Sequence, residues 1–368
     1  MSGVGAPAAG AFTAPDDYAI VLGIEHYRPA FPPLRGCLND ARLFRDWLVS
    51  PAGGGLNPDD THVNLLLSEA PGDPYDDAAW RPVRDTVMLK LHGFRRQQSE
   101  TGKKIGRRLY LFCAGHGVAV PARQEDAGVL MPNADLPEPL FAIPGRKIIE
   151  AMQRDRTFDE LILFMDCCRE VRGTVDAQIS LTTVEDPEHK AGANYLCAFA
   201  NGWNASTAER VLDHPLNPNG QKMQQGLFTH ALLKALQTGA AGIDVTSHTL
   251  PGLVRARYEI LAGRSEQLPV FYTSQDHQQP IVFAAAAAAA TVEVTVHLTD
   301  PRDGFRVFGG DAQTIVAQQE GSEKEDHIIP LKPGLYEFRP FSDEAPDRSV
   351  IAKIVDASLG TEVNLVRF

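Results

Sequence analysis

The stretch LILFMDCCRE, residues 161–170, decides the fold and raises the first question about chemistry. Its five leading apolar residues are typical of a strand that is buried on both faces, as in a parallel sheet. The strand ends at Asp166 and is followed by Cys167, Cys168 and Arg169. Successive side chains of an extended chain point to opposite sides, so the two cysteines face different surroundings. Asp166 and Cys168 can then share one side, while Cys167 points back into the packing of the sheet. The pattern alone leaves open whether either cysteine does chemistry.

Strands of the same apolar type recur along the chain and alternate with segments of helical spacing. The predicted strands are 18–24, 61–67, 107–113, 161–166 and 194–200. The predicted helices are 39–48, 79–96, 145–154, 226–237 and 250–263. Continuous apolar strands that alternate with helices predict an α/β domain with a mostly parallel sheet covered on both faces, spanning residues 17–283.

The two ends of the chain differ from this central part. Residues 1–16 predict a flexible leader, and the seven alanines at 284–290 predict a linker. Beyond them, apolar and polar residues alternate with period two in TVEVTVHL. LKPGLYEFRP has a Pro-Gly turn followed by a second alternating run. That period predicts a small antiparallel β-sandwich over 291–368 as an accessory domain.

The composition argues against several classes of function. The 368 residues are 43% hydrophobic and carry a net charge of −12, which disfavours nucleic-acid binding through phosphates and suits a cationic substrate. No apolar run approaches the ~18 residues of a membrane span. The N-terminus lacks the regions of a signal peptide. Five cysteines without CxxC pairs predict a reduced, cytoplasmic chain with no zinc site.

A histidine follows the strand 107–113 in the loop Ala114-Gly115-His116-Gly117. Functional groups of parallel sheets gather beyond the carboxyl ends of the strands, so this loop and the cysteine pair are expected to meet. A thiolate can attack a carbonyl while an imidazole handles the proton. The backbone amides of Gly117 and Cys168 are candidates for the oxyanion hole. A small buried cysteine and an ordinary loop histidine are the competing interpretations, and the pattern leaves this choice open.

Four segments, in order, resemble the metacaspase type of the caspase-like cysteine peptidases, clan CD, family C14. LYLFCAGHG and LILFMDCCRE resemble the histidine and cysteine segments of that family. YAIVLGIEHY with LRGCLNDARLFRDWL resembles its opening, and GLFTHALLKAL a segment of its small subunit. The resemblance covers about 18–283 and implies a caspase-like three-layer fold. High use of Ala, Gly, Pro and Arg favours a bacterial source.

The resemblance also implies a role for individual residues. Cys168 falls on the nucleophile and His116 on its catalytic partner. Asp166, Asp40 and Cys37 fall on the substrate pocket. Two carboxylates in one pocket suit an Arg or Lys side chain before the scissile bond. For Asp40, an acid that favours the dipole of its own helix is the competing interpretation, and both roles can hold together.

Some residues depart from the family pattern. Ala114 stands where the family often has Ser, and Arg169-Glu170-Val171 replaces the usual His-Ser-Gly. We expect Arg169 either to neutralise the pocket acids in part or to pair with Glu170. The resemblance makes calcium activation an alternative to consider, because many metacaspases need calcium. The loop acids Asp126, Asp135 and Asp176 assign no site, so we expect no cofactor and no metal.

The polar segment 171–193 occupies the position of the family's linker between subunits. Arg172 and Lys190 are candidate self-cleavage sites if specificity is basic, and a plain flexible loop is the alternative. These features predict a cysteine endopeptidase that cleaves protein substrates after Arg or Lys. The family suggests a regulated effector of bacterial defence or cell death, with a protein regulator recruited by the C-terminal β-domain. A catalytically silent caspase-fold scaffold is the alternative function.

Overall fold

The computed structural model describes most of the chain. The described residues are 13–68, 70–73, 75–120, 123–135, 140–171, 175–177, 179, 181, 192–217, 219–237, 244–263, 267–274, 279–284, 292–298, 304–308, 315–321, 326–331, 334–340, 350–354 and 361–365. The predicted leader, apart from residues 13–16, and the predicted alanine linker, apart from Ala284, lie outside them.

The described residues form two units. The first extends to Leu236 and includes Thr246–Phe283, and the second comprises the described parts of 237–245 and 284–368. The elements up to residue 284, in chain order, are β1 Asp17–Gly23, α1 Cys37–Val49, β2 Val63–Leu67, a 3₁₀ turn Asp77–Ala79, α2 Arg84–Thr101, β3 Gly106–Ala114, β4 Gly117–Ala119, β5 Ala127–Leu130, β6 Leu140–Pro144, α3 Gly145–Asp155, β7 Phe158–Asp166, β8 Val175–Asp176, β9 Asn194–Phe199, β10 Glu209–Leu212, β11 Met223–Gly226, α4 Leu227–Leu236, β12 Val245–Thr246, α5 Leu250–Ala262, β13 Val270–Thr273 and β14 Val282–Ala284.

A six-stranded sheet organises the first unit. Its order is β13-β9-β7-β3-β1-β2, and every neighbouring pair is parallel except β13 with β9. The predicted α/β class with a mostly parallel central sheet is therefore confirmed. Its parallel strands all direct their carboxyl ends to one edge, and the loops that leave that edge carry the candidate site.

Alternate side chains of β3 show why both faces of the sheet are covered. Tyr110 and Phe112 contact Phe44 of α1 on one face, with ring centroids 6.3 and 4.5 Å away. On the other face, Leu109 and Leu111 join a core cluster with residues of α2 and α3. Burial of each such apolar side chain contributes roughly 1.5–3 kcal/mol.

Helix α2 lies further along the chain than its apolar pattern predicts. It begins at Arg84, just after Pro82, and ends before Gly102, which adopts φ +65°. Proline lacks the backbone donor that a helix interior needs, and glycine accepts a left-handed end without strain. No helix among the described residues is long and apolar enough to span a bilayer.

The first unit also contains two small sheets that were not predicted. One has the order β4-β5-β6-β8, and the other is the hairpin β10-β11. Strand β8 pairs with β6 and lies inside the segment 171–193. Part of that segment is therefore tied to the fold, which differs from the plain loop considered from the sequence.

The second unit contains two sheets that share one core. Its strands are β15 Val292–Leu298, β16 Phe305–Phe308, β17 Ile315–Gln319, β18 Asp326–Leu331, β19 Gly334–Pro340, β20 Val350–Ile354 and β21 Thr361–Leu365. The sheet orders are β18-β15-β21 and β17-β16-β19-β20. Val294 and Val296 of the first sheet pack in one cluster with Phe305 and Phe338 of the second. A shared apolar core between two sheets is the arrangement of a β-sandwich. The pair β15 with β21 is parallel, which differs from the antiparallel sandwich that the sequence predicted.

Candidate active site

The register of the central sheet places the histidine and cysteine segments side by side. Strands β3 and β7 pair in parallel, with Ala114 opposite Asp166. His116 and Cys168 therefore each lie two residues beyond this pair, in the loops that follow these adjacent strands. The backbone N–H of Gly115 donates to the carbonyl oxygen of Asp166 at 3.3 Å, which joins the two loops beyond the sheet edge.

Gly117 lies against the cysteine pair, and only glycine fits there. A Cβ atom at this position would lie 2.2 Å from the carbonyl oxygen of Cys168 and 2.7 Å from Sγ of Cys167. Such distances are far below van der Waals contact. The structure thus brings the segments of Gly117 and Cys168 together, and their role in an oxyanion hole stays a prediction.

Burial separates Cys168 from the other cysteines. Cys168 is partly exposed, whereas Cys37, Cys113, Cys167 and Cys197 are buried. Cys167 belongs to the core cluster, as the alternation along the strand predicted. Burial raises the pKa of the Cys113 thiol to about 12 and that of Cys167 well above its ordinary value. A buried neutral thiol is a poor nucleophile, so Cys168 is the best placed of the five to react.

Residues near the N-terminus orient the histidine, and the sequence did not reveal them. The backbone N–H of His116 donates to the Tyr27 hydroxyl at 2.7 Å, and Nε2 of its ring lies 2.8 Å from the carbonyl oxygen of Pro32. The aromatic rings of Tyr27 and Phe31 lie 4.8 and 5.9 Å from the imidazole. A carbonyl can only accept, so in a neutral ring Nε2 carries the proton in this arrangement and the lone pair lies on Nδ1.

The two predicted pocket acids converge on one glycine. A Cβ atom on Gly226 would lie 2.1 Å from Oδ2 of Asp166 and 3.1 Å from Oδ2 of Asp40. The carboxylate of Asp40 accepts the backbone N–H of Gly226 at 3.1 and 3.0 Å. Asp40 thus bonds to the end of β11, in addition to lying in the first turn of its own helix α1.

Asp166 is held by two threonines from later segments. Its Oδ2 accepts the hydroxyl of Thr229 at 2.7 Å and the backbone N–H of Thr229 at 3.0 Å. Its Oδ1 accepts the hydroxyl of Thr207 at 3.2 Å. Burial nevertheless raises the pKa of Asp166 to about 6, because these hydrogen bonds offset only part of the desolvation.

The pair of carboxyl groups is electrostatically coupled. Burial, and next the charge of Asp166, raise the pKa of Asp40 well above its ordinary value. Two carboxylates this close repel each other, so one of them holds its proton more tightly. An incoming cation would relieve that repulsion, which is the physical reason to associate the pair with a basic side chain.

Glu209 is a third acid at the site that the sequence analysis missed. Its Oε1 accepts the backbone N–H of Gly36 at 3.0 Å and lies 3.4 Å from Sγ of Cys37. Its Oε2 accepts the N–H of Arg35 at 3.1 Å. Burial first, then the charges of Asp40 and Glu209, raise the pKa of the Cys37 thiol well above its usual range. Glu209 lies in an unpredicted hairpin, so no local pattern pointed to it.

The expectation for Arg169 is wrong. Its side chain is 1% exposed, and its guanidinium donates to the carbonyl oxygens of Asn201, Asp126 and Gln124. It also lies over the Phe199 ring, 4.8 Å from the centroid. Arg169 follows Cys168 on the opposite side of the chain, so its charge turns into the fold instead of toward the pocket acids or Glu170.

The loop acids considered for calcium each have another partner. Asp126 accepts the N–H groups of Arg146 and Lys147 at the start of α3, and Asp176 pairs with Arg84 at 3.2 Å. Asp135 pairs with Arg28 at 3.4 Å. Within the described ranges, no group of three or more His, Cys, Asp or Glu side chains could hold a metal ion.

Arg172 and Lys190, the candidate self-cleavage sites, lie outside the described residues. The other predicted site residues come together around the carboxyl edge of β1, β3 and β7, although Cys37 and Cys168 are 131 residues apart in the sequence.

Comparison with known proteins identifies the family of this chain. The chain belongs to the caspase-domain family of C14 peptidases, whose profile matches residues 16–280. This result confirms the family expected from the motifs. A probable protease from a Desulfuromonadales bacterium is 27% identical over 234 residues, which are 61% of this chain. The match spans 26% of that relative, so only about a quarter of its length is represented here.

Two solved structures are similar to the chain. Caspase-1 from Spodoptera frugiperda is 13% identical, with a TM-score of 0.44, over 75% of this chain and 92% of that one. A protein from Geobacter sulfurreducens is 14% identical, with a TM-score of 0.45, over 74% of this chain and 100% of that one. Membership of the peptidase family assigns the chain to the cysteine peptidases at a coarse level.

Proposed function

We propose that this protein is a cysteine endopeptidase that hydrolyses protein substrates after Arg or Lys. The observation that carries the proposal is the convergence of Asp40 and Asp166 on Gly226, beside the partly exposed Cys168. A guanidinium or ammonium group that enters this pocket would offset the desolvation cost of the two carboxylates and their mutual repulsion. The family's chemistry then needs only the Cys168 and His116 pair that the sheet register aligns.

The reaction follows from the roles of these two residues. The imidazole of His116 takes the proton of the Cys168 thiol. The resulting thiolate attacks the scissile carbonyl, and a C–S bond forms while negative charge moves to the carbonyl oxygen. The backbone amides of Gly117 and Cys168 would receive that charge. The imidazole of His116 passes its proton to the leaving amine as the C–N bond breaks. Water then attacks the thioester while His116 accepts its proton, and a C–O bond forms as the C–S bond breaks. His116 returns that proton to the sulfur, so the acid product leaves and the thiol is regenerated.

The pocket acids would define specificity through charge and hydrogen-bond geometry. A guanidinium offers a planar fork of donors, and two carboxylates with free lone pairs can accept several of them. Glu209 adds a third negative group near the α1 end of the pocket. An acidic side chain before the scissile bond would meet only repulsion there, so we expect no cleavage after Asp.

Fluorogenic peptides that end in Arg, Lys or Asp test this proposal. We expect cleavage after Arg and Lys by the wild type and by Cys167→Ala, and none by Cys168→Ala. Cys167→Ala is the matched control, because it removes the neighbouring thiol from the core. Cleavage after Asp alone would refute the pocket assignment. Absence of cleavage with all three peptides, with calcium and with chelator, would favour a scaffold without catalysis.

We also propose a biological role for the protein. The family suggests a regulated effector of bacterial defence or cell death. The cysteine content suggests a cytoplasmic location. The β-sandwich unit is a candidate site for a protein regulator. Affinity capture with the wild-type chain and with a variant that stops at residue 283 would test whether partners depend on that unit.

A further inference from the structure

Thr207 touches both the candidate nucleophile and the candidate specificity acid. Its backbone N–H donates to Sγ of Cys168 at 3.3 Å, and its side-chain hydroxyl donates to Oδ1 of Asp166 at 3.2 Å. The residue is half-buried and precedes β10 by two positions. Neither the sequence pattern nor the family resemblance assigned it a role.

The loop that carries Thr207 runs along the segment of the nucleophile. The backbone N–H of Arg169 donates to the carbonyl oxygen of Ala205 at 2.8 Å, and the N–H of Asn204 donates to the carbonyl of Arg169 at 3.0 Å. These bonds fix the part of the loop before Thr207. The hydroxyl of Thr207 fixes the next part to Asp166, and this anchor sets where its backbone N–H points.

We propose that Thr207 is a positioning residue that couples the Asp166 pocket to the reactivity of Cys168. This inference rests on the proposed function, because it assigns Cys168 and Asp166 the roles of nucleophile and specificity acid. A thiolate accepts an N–H bond more strongly than a thiol does. The backbone donor of Thr207 therefore favours the reactive form of Cys168, and the side-chain anchor holds the donor in place.

The chain offers a matched control for this proposal. Thr229 donates a hydroxyl to the other oxygen of the same carboxylate, at 2.7 Å, and it lies in α4. Thr207→Val and Thr229→Val each remove one hydroxyl from Asp166, with little change of side-chain shape. Only the first change also frees the donor that faces the Cys168 sulfur. A purely structural role of hydroxyls on Asp166 would affect both variants alike.

The test is the pH dependence of Cys168 alkylation by iodoacetamide, followed by mass spectrometry of the peptide that contains it. We expect Thr207→Val to raise the midpoint of this dependence by roughly one pH unit, the effect of losing one charge-assisted hydrogen bond. Thr207→Ser keeps the hydroxyl and should restore the wild-type midpoint. Thr229→Val should leave the midpoint unchanged and still raise KM for an arginine peptide. Thermal unfolding of each variant confirms that it is folded.

The outcomes separate this inference from the proposed function. Equal midpoints for Thr207→Val and Thr229→Val would overturn the coupling, and so would a failure of Thr207→Ser to restore the wild-type value. Alkylation that never reaches Cys168 at any pH would overturn both the coupling and the choice of nucleophile. If Cys168 is alkylated with the expected midpoints but no peptide is cleaved, the coupling stands and the peptidase proposal fails.

Discussion

Replacing Asp166 by Asn should change how the stability of the protein depends on pH. Burial raises the pKa of this carboxyl from 3.8 to about 6. Below about pH 4 the group is protonated in both the folded and the unfolded chain. As the pH rises further, the unfolded chain releases the proton first, so the folded state loses stability until about pH 6. The loss is then complete and stays constant.

The size of this loss follows from the shift of the pKa. One pKa unit corresponds to 1.36 kcal/mol, so the shift amounts to about 3 kcal/mol. Asp166→Asn does not titrate, and any change in its hydrogen bonds to Thr229 and Thr207 adds an offset that is independent of pH. The charge of Asp166 also raises the pKa of Asp40 in the wild type. The stability difference between the two proteins should therefore move by about 3 kcal/mol between about pH 4 and pH 8.

Urea unfolding at a series of pH values measures this difference. Both proteins should carry Cys168→Ala, so that self-digestion does not distort the curves. We expect the free energy of unfolding of the parent to fall relative to that of the Asp166→Asn variant as the pH rises. Two curves that stay parallel, within about 1 kcal/mol, would refute the raised pKa and with it the picture of a buried, partly protonated acid pair.

Three further predictions concern the same site and its support. For arginine peptides, kcat/KM should fall about tenfold per pH unit below about pH 6, because protonated pocket acids do not attract a cation; a rate that stays flat to pH 5 would contradict this. In Gly226→Ala, the new Cβ would lie 2.1 Å from Oδ2 of Asp166, so kcat/KM should fall at least ~100-fold while iodoacetamide still modifies Cys168. Retained cleavage would show that the pocket tolerates a side chain. Arg169→Ala should lower the free energy of unfolding by about 4 kcal/mol in urea, because it leaves a cavity and buried carbonyls without donors; a loss below about 1 kcal/mol would contradict that role.

Local patterns in the sequence predicted most of the central sheet. Continuous apolar runs mark strands covered on both faces, and the predicted strands match β1, β2, β3, β7 and β9 closely. The period of two also separated the cysteines correctly, with Cys167 in the core and Cys168 at the partly exposed side. These properties depend on a few neighbouring residues, so they can be inferred from the sequence.

The small sheets were missed because their strands are short and lack a clear period. Strands β4, β5 and β8 have two to four residues each, which is too short for alternation to stand out. The hairpin β10-β11 is largely polar, so it resembles a loop. Glu209 and Gly226 lie in that hairpin, which is why the third acid and the contact point of the carboxyl pair were not found.

The sequence by itself determined which residue types stand at the ends of the central strands, including His116, Asp166 and Cys168. Only the tertiary structure decided their partners, among them Thr207, Thr229 and the carbonyl oxygen of Pro32. A backbone carbonyl has no residue type to recognise, and a threonine hydroxyl becomes informative only where a distant strand places a carboxylate beside it. The direction of the Arg169 side chain was likewise decided by packing, because a buried guanidinium needs carbonyl oxygens that accept its N–H groups.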